Sequence, residues 1–348
     1  METSGRLDSI DLAKFIACFF VVTIHINPLE IVPVAGTILK DAVSRMFMVF
    51  FFIAAGYLFF RRLEWAEGRN AEDSIFYQYS KRILRLLGLW TVVYLPLFLL
   101  LKWKHNERLS LTAMKDWLWE IVCIGDFYHL WFLGALLVGT GLVYVVRRMG
   151  LSSISAVVAG GVLYLLGLLG NSYDFLLDGI PTFARLKDGY LELFFTTRNG
   201  VFSAPLFLAL GWQIAASKRL PLAKTAALGL GGSMALLVVE VLCLNGYTEQ
   251  MELFAMSPIA VTFLLCFVLQ FRVPKNSVWR TLRSYSTLIY LVHPILILAV
   301  RVAASVLRIS NYDYAIHYCI VALCSLAIAA VTVQLQRKRQ LIWLKYFY

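Results

Sequence analysis

Residues 10–29 read IDLAKFIACFFVVTIHINPL, an apolar stretch that is interrupted by one aspartate, one lysine and one histidine. Because a helix rises about 1.5 Å per residue, about 20 apolar residues cross the roughly 30 Å hydrocarbon core of a bilayer. Backbone groups in that core must be satisfied within the segment, which favours a helix. Asp8 and Asp11 accompany Arg6 at the amino-terminal end of the run, and no small-x-small cleavage site follows it, so we expect it to be retained rather than cleaved as a signal peptide.

Nine further apolar runs of similar length follow this one. They lie at 43–60, 83–101, 127–146, 152–170, 194–216, 224–244, 254–271, 285–307 and 315–335. Overall, 60% of the residues are hydrophobic and 15% are charged, whereas about 25% are charged in a typical soluble domain. The sequence therefore predicts an all-α, multi-pass bundle of about ten transmembrane helices in the cell membrane, with residues 1–348 forming a single domain.

The charge pattern indicates the orientation of the chain in the membrane rather than binding to nucleic acid. The formal net charge is +11 at pH 7, but the basic residues lie mostly at the ends of apolar runs. With the amino end inside, the inner segments hold about twice as many Lys and Arg residues as the outer ones, which predicts cytoplasmic amino and carboxyl ends. The cysteines are scattered and show no metal-ligand spacing, so no metal is expected. Segment 102–126 predicts an amphipathic helix on the membrane surface.

The first helix carries ionisable residues on one face. Lys14 and His25 are eleven residues apart, which corresponds to about three turns plus 20° and about 16 Å along the axis. Asp11 lies one turn before Lys14 and can pair with it, and the same face continues through Cys18 and Val22. One alternative is an interfacial Asp11–Lys14 pair with His25 capping the outer end. Ionisable groups within a span are costly and usually face a cavity, which favours a functional polar track.

The pattern Asp11-Leu12-Ala13-Lys14, followed eleven residues later by His25, resembles the opening signature of the acyltransferase-3 family of membrane acyltransferases. Further matches run along most of the chain in the family's order. They are FFIAAGYLF at 51–59, KRILR at 81–85, YHLWFL at 128–133, RNGVF at 198–202 and IYLVHP at 289–294.

This resemblance implies an O-acyltransferase. Such an enzyme moves an acyl group, most simply acetyl, from cytoplasmic acyl-CoA to a hydroxyl of a cell-envelope carbohydrate or lipid-linked acceptor at the outer face. The resemblance makes His25 the essential histidine, with Lys14 and Asp11 in the same catalytic group. An imidazole can accept the proton of the acceptor hydroxyl or carry the acyl group itself, and both roles stay open at this stage.

Arg82 and Arg85 are the predicted acyl-CoA ligands. They lie at the inner mouth of the third span, where two guanidinium groups can grip the phosphates of coenzyme A. The alternative is that both only anchor the helix as positive-inside residues.

His129, Arg198, Asn199 and His293 are the predicted substrate-binding residues. His129 begins the fourth span at a depth similar to that of His25. Arg198 and Asn199 lie at the mouth of the sixth span, where the following glycine permits an irregular backbone that is tolerated only beside a cavity or inside protein.

Three of these residues also have a structural interpretation. His129 can be an interfacial histidine that Asp126 orients, and Arg198 can pair with Glu192. The imidazole of His293 can satisfy a carbonyl that Pro294 leaves without its helical donor.

One departure from the family pattern bears on the substrate. Members that modify lipopolysaccharide often carry a segment with tryptophan and glutamate near the fourth helix, where this chain has YHLWFL. The chain is thus more similar to small cell-envelope acyltransferases and to the membrane module of membrane-bound serine racemases. The second hypothesis is accordingly a membrane module that transports or handles an amino acid such as serine. The sequence leaves the oligomeric state open.

Overall fold

The computed structural model describes residues 8–104, 129–177, 179–194, 196–217, 219–248, 250–271, 273–274, 276–309 and 313–348. Most of these residues are helical. The only strand-like pairing among them is an isolated bridge between Asn245 and Thr248. The predicted all-α class is therefore confirmed.

The helices are numbered here in chain order. They are α1 (Asp8–His25), α2 (Pro33–Leu63), α3 (Arg69–Lys104), α4 (Trp131–Arg148), α5 (Ser153–Leu169), α6 (Pro181–Phe194), α7 (Ala204–Ala216), α8 (Ala223–Leu244), α9 (Ser257–Gln270), α10 (Val278–Val306) and α11 (Tyr314–Leu335). Two 3₁₀ segments, Asp174–Leu177 and Arg339–Phe347, complete the described helical structure.

The lengths and apolar character of these helices define a multi-pass membrane protein. Of the described helices, six are long and apolar enough to cross a bilayer, namely α2, α3, α4, α8, α10 and α11. Helices α5, α7 and α9 are apolar but shorter. Ten crossings and cytoplasmic ends remain predictions.

The predicted span at 194–216 is wrong in its first half. The amphipathic helix α6 ends at Phe194, and the apolar helix α7 begins only at Ala204. The Asn199 side chain holds the intervening turn because its Oδ1 accepts hydrogen bonds from the backbone N–H groups of Val201 (2.9 Å) and Phe202 (3.1 Å). An asparagine that bonds its own backbone in this way competes with a continuous helix.

The bounds of the first three helices also differ from those of the predicted spans. The third span begins at Arg69 rather than at 83, and the second begins at Pro33 and contains a π-helical stretch, Ile38–Ser44. The first helix ends at His25, after which Asn27 Oδ1 accepts a bond from the N–H of Leu29 at 3.1 Å. The predicted surface helix in 102–126 lies outside the described residues, apart from positions 102–104, which continue α3.

Glycines let several helices pack closely around α7. A Cβ added to Gly56 of α2 would lie 2.7 Å from Leu208 Cα, and one added to Gly160 of α5 would lie 2.8 Å from Leu206 Cα. Small residues at helix contacts allow such close backbone approach within membranes. Helix α7 is therefore the centre of one half of the bundle, while α1 packs mainly on α10 and α2.

An arginine clamp joins the ends of α2, α3 and α4. Arg147 Nη1 lies 2.5 Å from Glu64 Oε1, and Arg147 Nη2 lies 2.8 Å from Glu72 Oε1. Trp212 Nε1 also donates to Glu64 Oε1 at 3.2 Å, which ties α7 to the same group. The neighbouring Arg148 makes a longer contact, in which its Nη2 lies 3.3 Å from Oδ2 of the half-exposed Asp73.

We expect Arg147→Ala to lower the free energy of unfolding by about 2 kcal/mol, because it leaves two partly buried carboxylates without their charged partner. Arg148→Ala is the matched control and should cost less than about 1 kcal/mol, since its ion pair is more exposed. Denaturant unfolding in detergent micelles measures both. Equal losses for the two variants would contradict the clamp.

Candidate active site

A cavity of about 940 Å³ runs through the bundle along α1. Side chains from α1, α2, α3, α4 and α10 form most of its wall. Lys14 and His25 both line it, so it extends at least about 16 Å along the helix axis. Val21 lies between them on the wall, whereas Cys18 and Val22 are fully buried against neighbouring helices. The predicted polar track is therefore an open cavity whose middle is apolar.

One end of the cavity, the arginine end, is strongly basic. It is lined by Lys14, Arg61, Arg62, Arg82 and Arg283. These residues come from α1, α2, α3 and α10, and Lys14 lies within electrostatic range of both Arg82 and Arg283. The only carboxylate among the described lining residues is at the opposite end. The arginine end can therefore hold an anion that carries several negative charges.

The other end, the histidine end, brings three imidazoles together. The ring centroid of His293 lies 5.3 Å from that of His25 and 5.5 Å from that of His129. His293 is fully buried, and its Nδ1 lies 3.1 Å from the carbonyl oxygen of Ile289. Among the described residues, His293 Nε2 has no hydrogen-bond partner. Neighbouring imidazoles of this kind can accept and pass protons.

Tyrosines fix the histidine end. The Tyr290 hydroxyl donates to the carbonyl oxygen of His129, and the ring of Tyr94 lies 5.1 Å from the His129 ring between centroids. The Tyr94 hydroxyl also donates to the carbonyl oxygen of Leu291 at 2.8 Å. Pro294 leaves the carbonyl of Tyr290 without its helical donor, and the His293 imidazole contacts the backbone of both Ile289 and Tyr290. The structural interpretation of His293 therefore stays open beside the substrate-binding one.

An ion-pair network closes the histidine end. Arg198 Nη1 lies 2.5 Å from Glu252 Oε1, and its guanidinium lies 4.6 Å above the Trp131 ring. Arg45 Nε donates to Asp41 Oδ1 at 2.9 Å, and Arg45 Nη1 lies 3.9 Å from Glu252 Oε1. Both arginines act electrostatically on His25. Arg198 therefore pairs with Glu252 and not with Glu192, the partner considered from the sequence.

The structure brings together five of the predicted site residues on one cavity wall. They are Lys14, His25, Arg82, His129 and Arg198. His293 lies directly behind His25 and His129. Asp126, the predicted orienting carboxylate, lies outside the described residues.

Besides His293, three predicted residues lie off the cavity wall. The Arg85 guanidinium lies 4.8 Å over the ring of Tyr346, outside the cavity. The Asn199 amide donates to the Tyr190 hydroxyl at 2.6 Å while its oxygen caps the turn before α7, so its bonding capacity is used within the fold. Asp11 is buried beside Lys14 and acts on it electrostatically without lining the cavity.

Several residues of the site were missed in the sequence. Arg45 has a local signal, because Asp41 lies four residues earlier on the same helical face. Glu252 lies in the loop before α9, where no periodicity singles it out. Arg61, Arg62 and Arg283 look like ordinary positive-inside residues in the sequence.

Comparison with known proteins gives a family and two informative relatives. The family model of acyltransferase-3, described as an acyltransferase domain, matches residues 7–334. An amino-acid racemase from Enterococcus faecalis is 27% identical over 339 residues, which are 96% of this chain and 47% of that protein. A serine/alanine racemase from Enterococcus gallinarum is 30% identical over 296 residues, 82% of this chain and 40% of that protein. The chain thus spans less than half the length of these relatives. No solved structure matches it.

The ion-pair network yields a stability test. We expect Glu252→Ala to lower the free energy of unfolding by about 3 kcal/mol, because it leaves two buried guanidinium groups without their shared carboxylate. Glu192→Ala is the matched control on the exposed helix α6 and should change stability by less than about 0.5 kcal/mol. Denaturant unfolding in micelles measures both. A larger effect at Glu192 would contradict the observed pairing.

Proposed function

Because this chain belongs to the acyltransferase-3 family, we propose that it transfers an acyl group, most simply acetyl, from cytoplasmic acyl-CoA to a hydroxyl of an extracytoplasmic cell-envelope glycan or lipid-linked acceptor. The observation that carries this proposal is the single cavity that connects five cationic side chains at one end with His25 and its neighbouring imidazoles at the other. Donor and acceptor can thus approach His25 from opposite sides.

The arginine end suits the donor. Coenzyme A carries several phosphate groups, and planar guanidinium groups bind phosphate through paired, charge-assisted hydrogen bonds. Five cations line this end, namely Lys14, Arg61, Arg62, Arg82 and Arg283. The acyl-bearing arm of the donor then lies along the apolar middle of the cavity towards His25, about 16 Å beyond Lys14.

The histidine end suits the chemistry. In the proposed step, His25 accepts the proton of the acceptor hydroxyl while the hydroxyl oxygen attacks the thioester carbon. The new C–O bond forms, the C–S bond breaks, and the sulfur leaves with the bonding electron pair and takes up a proton. Free CoA and an O-acylated acceptor result. Because donor and acceptor can meet at His25, this direct route needs no acyl-enzyme.

Charged neighbours support the same step. Negative charge develops on the thioester carbonyl oxygen as the hydroxyl attacks, and a fixed cation nearby stabilises it. Arg198 lines the cavity within electrostatic range of His25 and is the candidate for this role. His293 packs on the His25 ring and is a positioning residue for it.

A second candidate function follows from the relatives. Both are named racemases, and this chain matches less than half of each. The chain would then be a membrane module that transports or handles an amino acid such as serine. Uptake of labelled serine by vesicles that contain the purified protein, with no requirement for acyl-CoA, would favour this candidate.

We expect His25→Ala to lower kcat for acetyl transfer at least about 100-fold, because proton transfer by a positioned side chain contributes about that much or more. His317→Gln is the control, since His317 does not line the cavity. The assay follows label from radioactive acetyl-CoA into envelope acceptors, and thermal unfolding checks that both variants fold. Activity of His25→Ala within twofold of the wild type would refute the catalytic role.

Two neighbouring arginines, Arg82 and Arg85, allow a matched test of the donor site. Arg82 and Arg85 are both exposed residues of α3, but only Arg82 lines the cavity. We expect Arg82→Ala to raise the KM for acetyl-CoA about tenfold with an unchanged acceptor KM, since one charge-assisted contact contributes about 1.5–3 kcal/mol. Arg85→Ala should leave both KM values within about twofold of the wild type. The same increase in donor KM for both variants would show that the cavity does not hold the phosphates.

A further inference from the structure

A second cavity, of about 600 Å³, lies beside the histidine end. Its wall comes from the π-helical stretch of α2, the turn before α7 and the loop between α8 and α9. Unlike the apolar middle of the first cavity, it is lined largely by hydroxyl, amide and charged side chains, which include Lys40, Thr196, Asn245, Thr248 and Gln250. Its size suits a ligand of one or two sugar-sized units.

The two cavities share one charged wall. Arg45, Arg198 and Glu252 line both of them. The same three residues form the ion-pair network described above, and both arginines lie within electrostatic range of His25. A ligand in the second cavity therefore contacts the same network that borders the cavity of His25.

The network holds unused hydrogen-bond donors. Arg45 is 8% exposed, and its Nη1 has no hydrogen-bond partner among the described residues, since Glu252 Oε1 at 3.9 Å is too distant for one. Arg198 Nε is also buried without such a partner. Buried donors left unsatisfied are costly, so an oxygen-bearing ligand at this wall would stabilise the arrangement.

The charge of the second cavity favours an anionic ligand. Its described lining carries three cations, Lys40, Arg45 and Arg198, and two carboxylates, Asp41 and Glu252. Asp41 and Glu252 are already engaged by the two arginines, whereas Lys40 makes no ion pair among the described residues. One excess positive charge and the unpartnered Nη1 of Arg45 match a single carboxylate.

Building on the function proposed above, we propose that the second cavity is the acceptor site and that it takes a hydroxyl-bearing carboxylic acid, such as a sugar acid. The carboxylate binds Arg45 and Lys40, which leaves Arg198 for the thioester oxygen, while the amide and hydroxyl side chains bind the remaining hydroxyls. One acceptor hydroxyl then points through the shared wall towards His25. Arg45, which the sequence did not single out, becomes an acceptor-binding residue.

Binding to the purified full chain tests this site without relying on turnover. Calorimetry compares glucuronate with glucuronamide, and glycerate with glyceramide, so that each pair differs only in the carboxylate. We expect at least one acid to bind about tenfold or more tightly than its amide, since an ion pair with guanidinium is lost in the amide. Equal affinities within both pairs would overturn the proposal.

Variants then locate the site. Arg45→Gln should weaken binding of the acid about tenfold or more, and Thr248→Trp should do the same by filling the cavity without changing its charge. Arg85→Gln, which lies outside both cavities, is the control for the loss of one arginine and should bind the acid as the wild type does. Acid binding that survives Thr248→Trp would place the acid elsewhere and overturn the proposal. Acid binding without any acetyl transfer to the bound acid would contradict the proposed function while leaving an acid-binding site in place.

Discussion

A charge within the hydrocarbon region must face either a partner or water, and the arrangement of this bundle follows from that constraint. An unpaired ion in hydrocarbon is costly enough that membrane helices place such groups towards a bundle interior or an aqueous cavity. Lys14 and His25 lie on one face of α1, and α2, α3, α4 and α10 leave an open cavity along that face. The cavity is therefore where these groups can remain solvated within an apolar chain.

The same constraint separates the two ends of the cavity chemically. At the arginine end five cations line the wall and Asp11 lies behind Lys14, so this end carries an excess of positive charge that favours an anionic ligand. At the histidine end Arg198 is balanced by Glu252, and Tyr290 and Tyr94 hold His129 in place. A basic mouth, an apolar middle and an imidazole cluster in that order suit a donor with a phosphate-rich head and a reactive acyl terminus.

Much of this arrangement could be predicted from helical periodicity. The spacing of Lys14 and His25 placed both on one face, and most predicted spans agree with observed helices because hydropathy reports length directly. Periodicity could not choose between Arg82 and Arg85, which are about 60° apart around α3, because the rotation of a helix depends on its packing partners. The partner of Arg198 was also out of reach, since Glu252 lies in a distant loop. A side-chain cap at Asn199 ended a span that hydropathy alone would continue.

The central claim is that donor and acceptor reach His25 from opposite sides of the membrane through one bundle. The most direct test uses sealed vesicles that contain the purified protein, with radiolabelled acetyl-CoA trapped inside and envelope acceptors added outside, in the orientation that exposes the arginine end to the lumen. The account predicts that label appears on external acceptors while CoA stays in the lumen. Transfer only when donor and acceptor are on the same side of the membrane would contradict it.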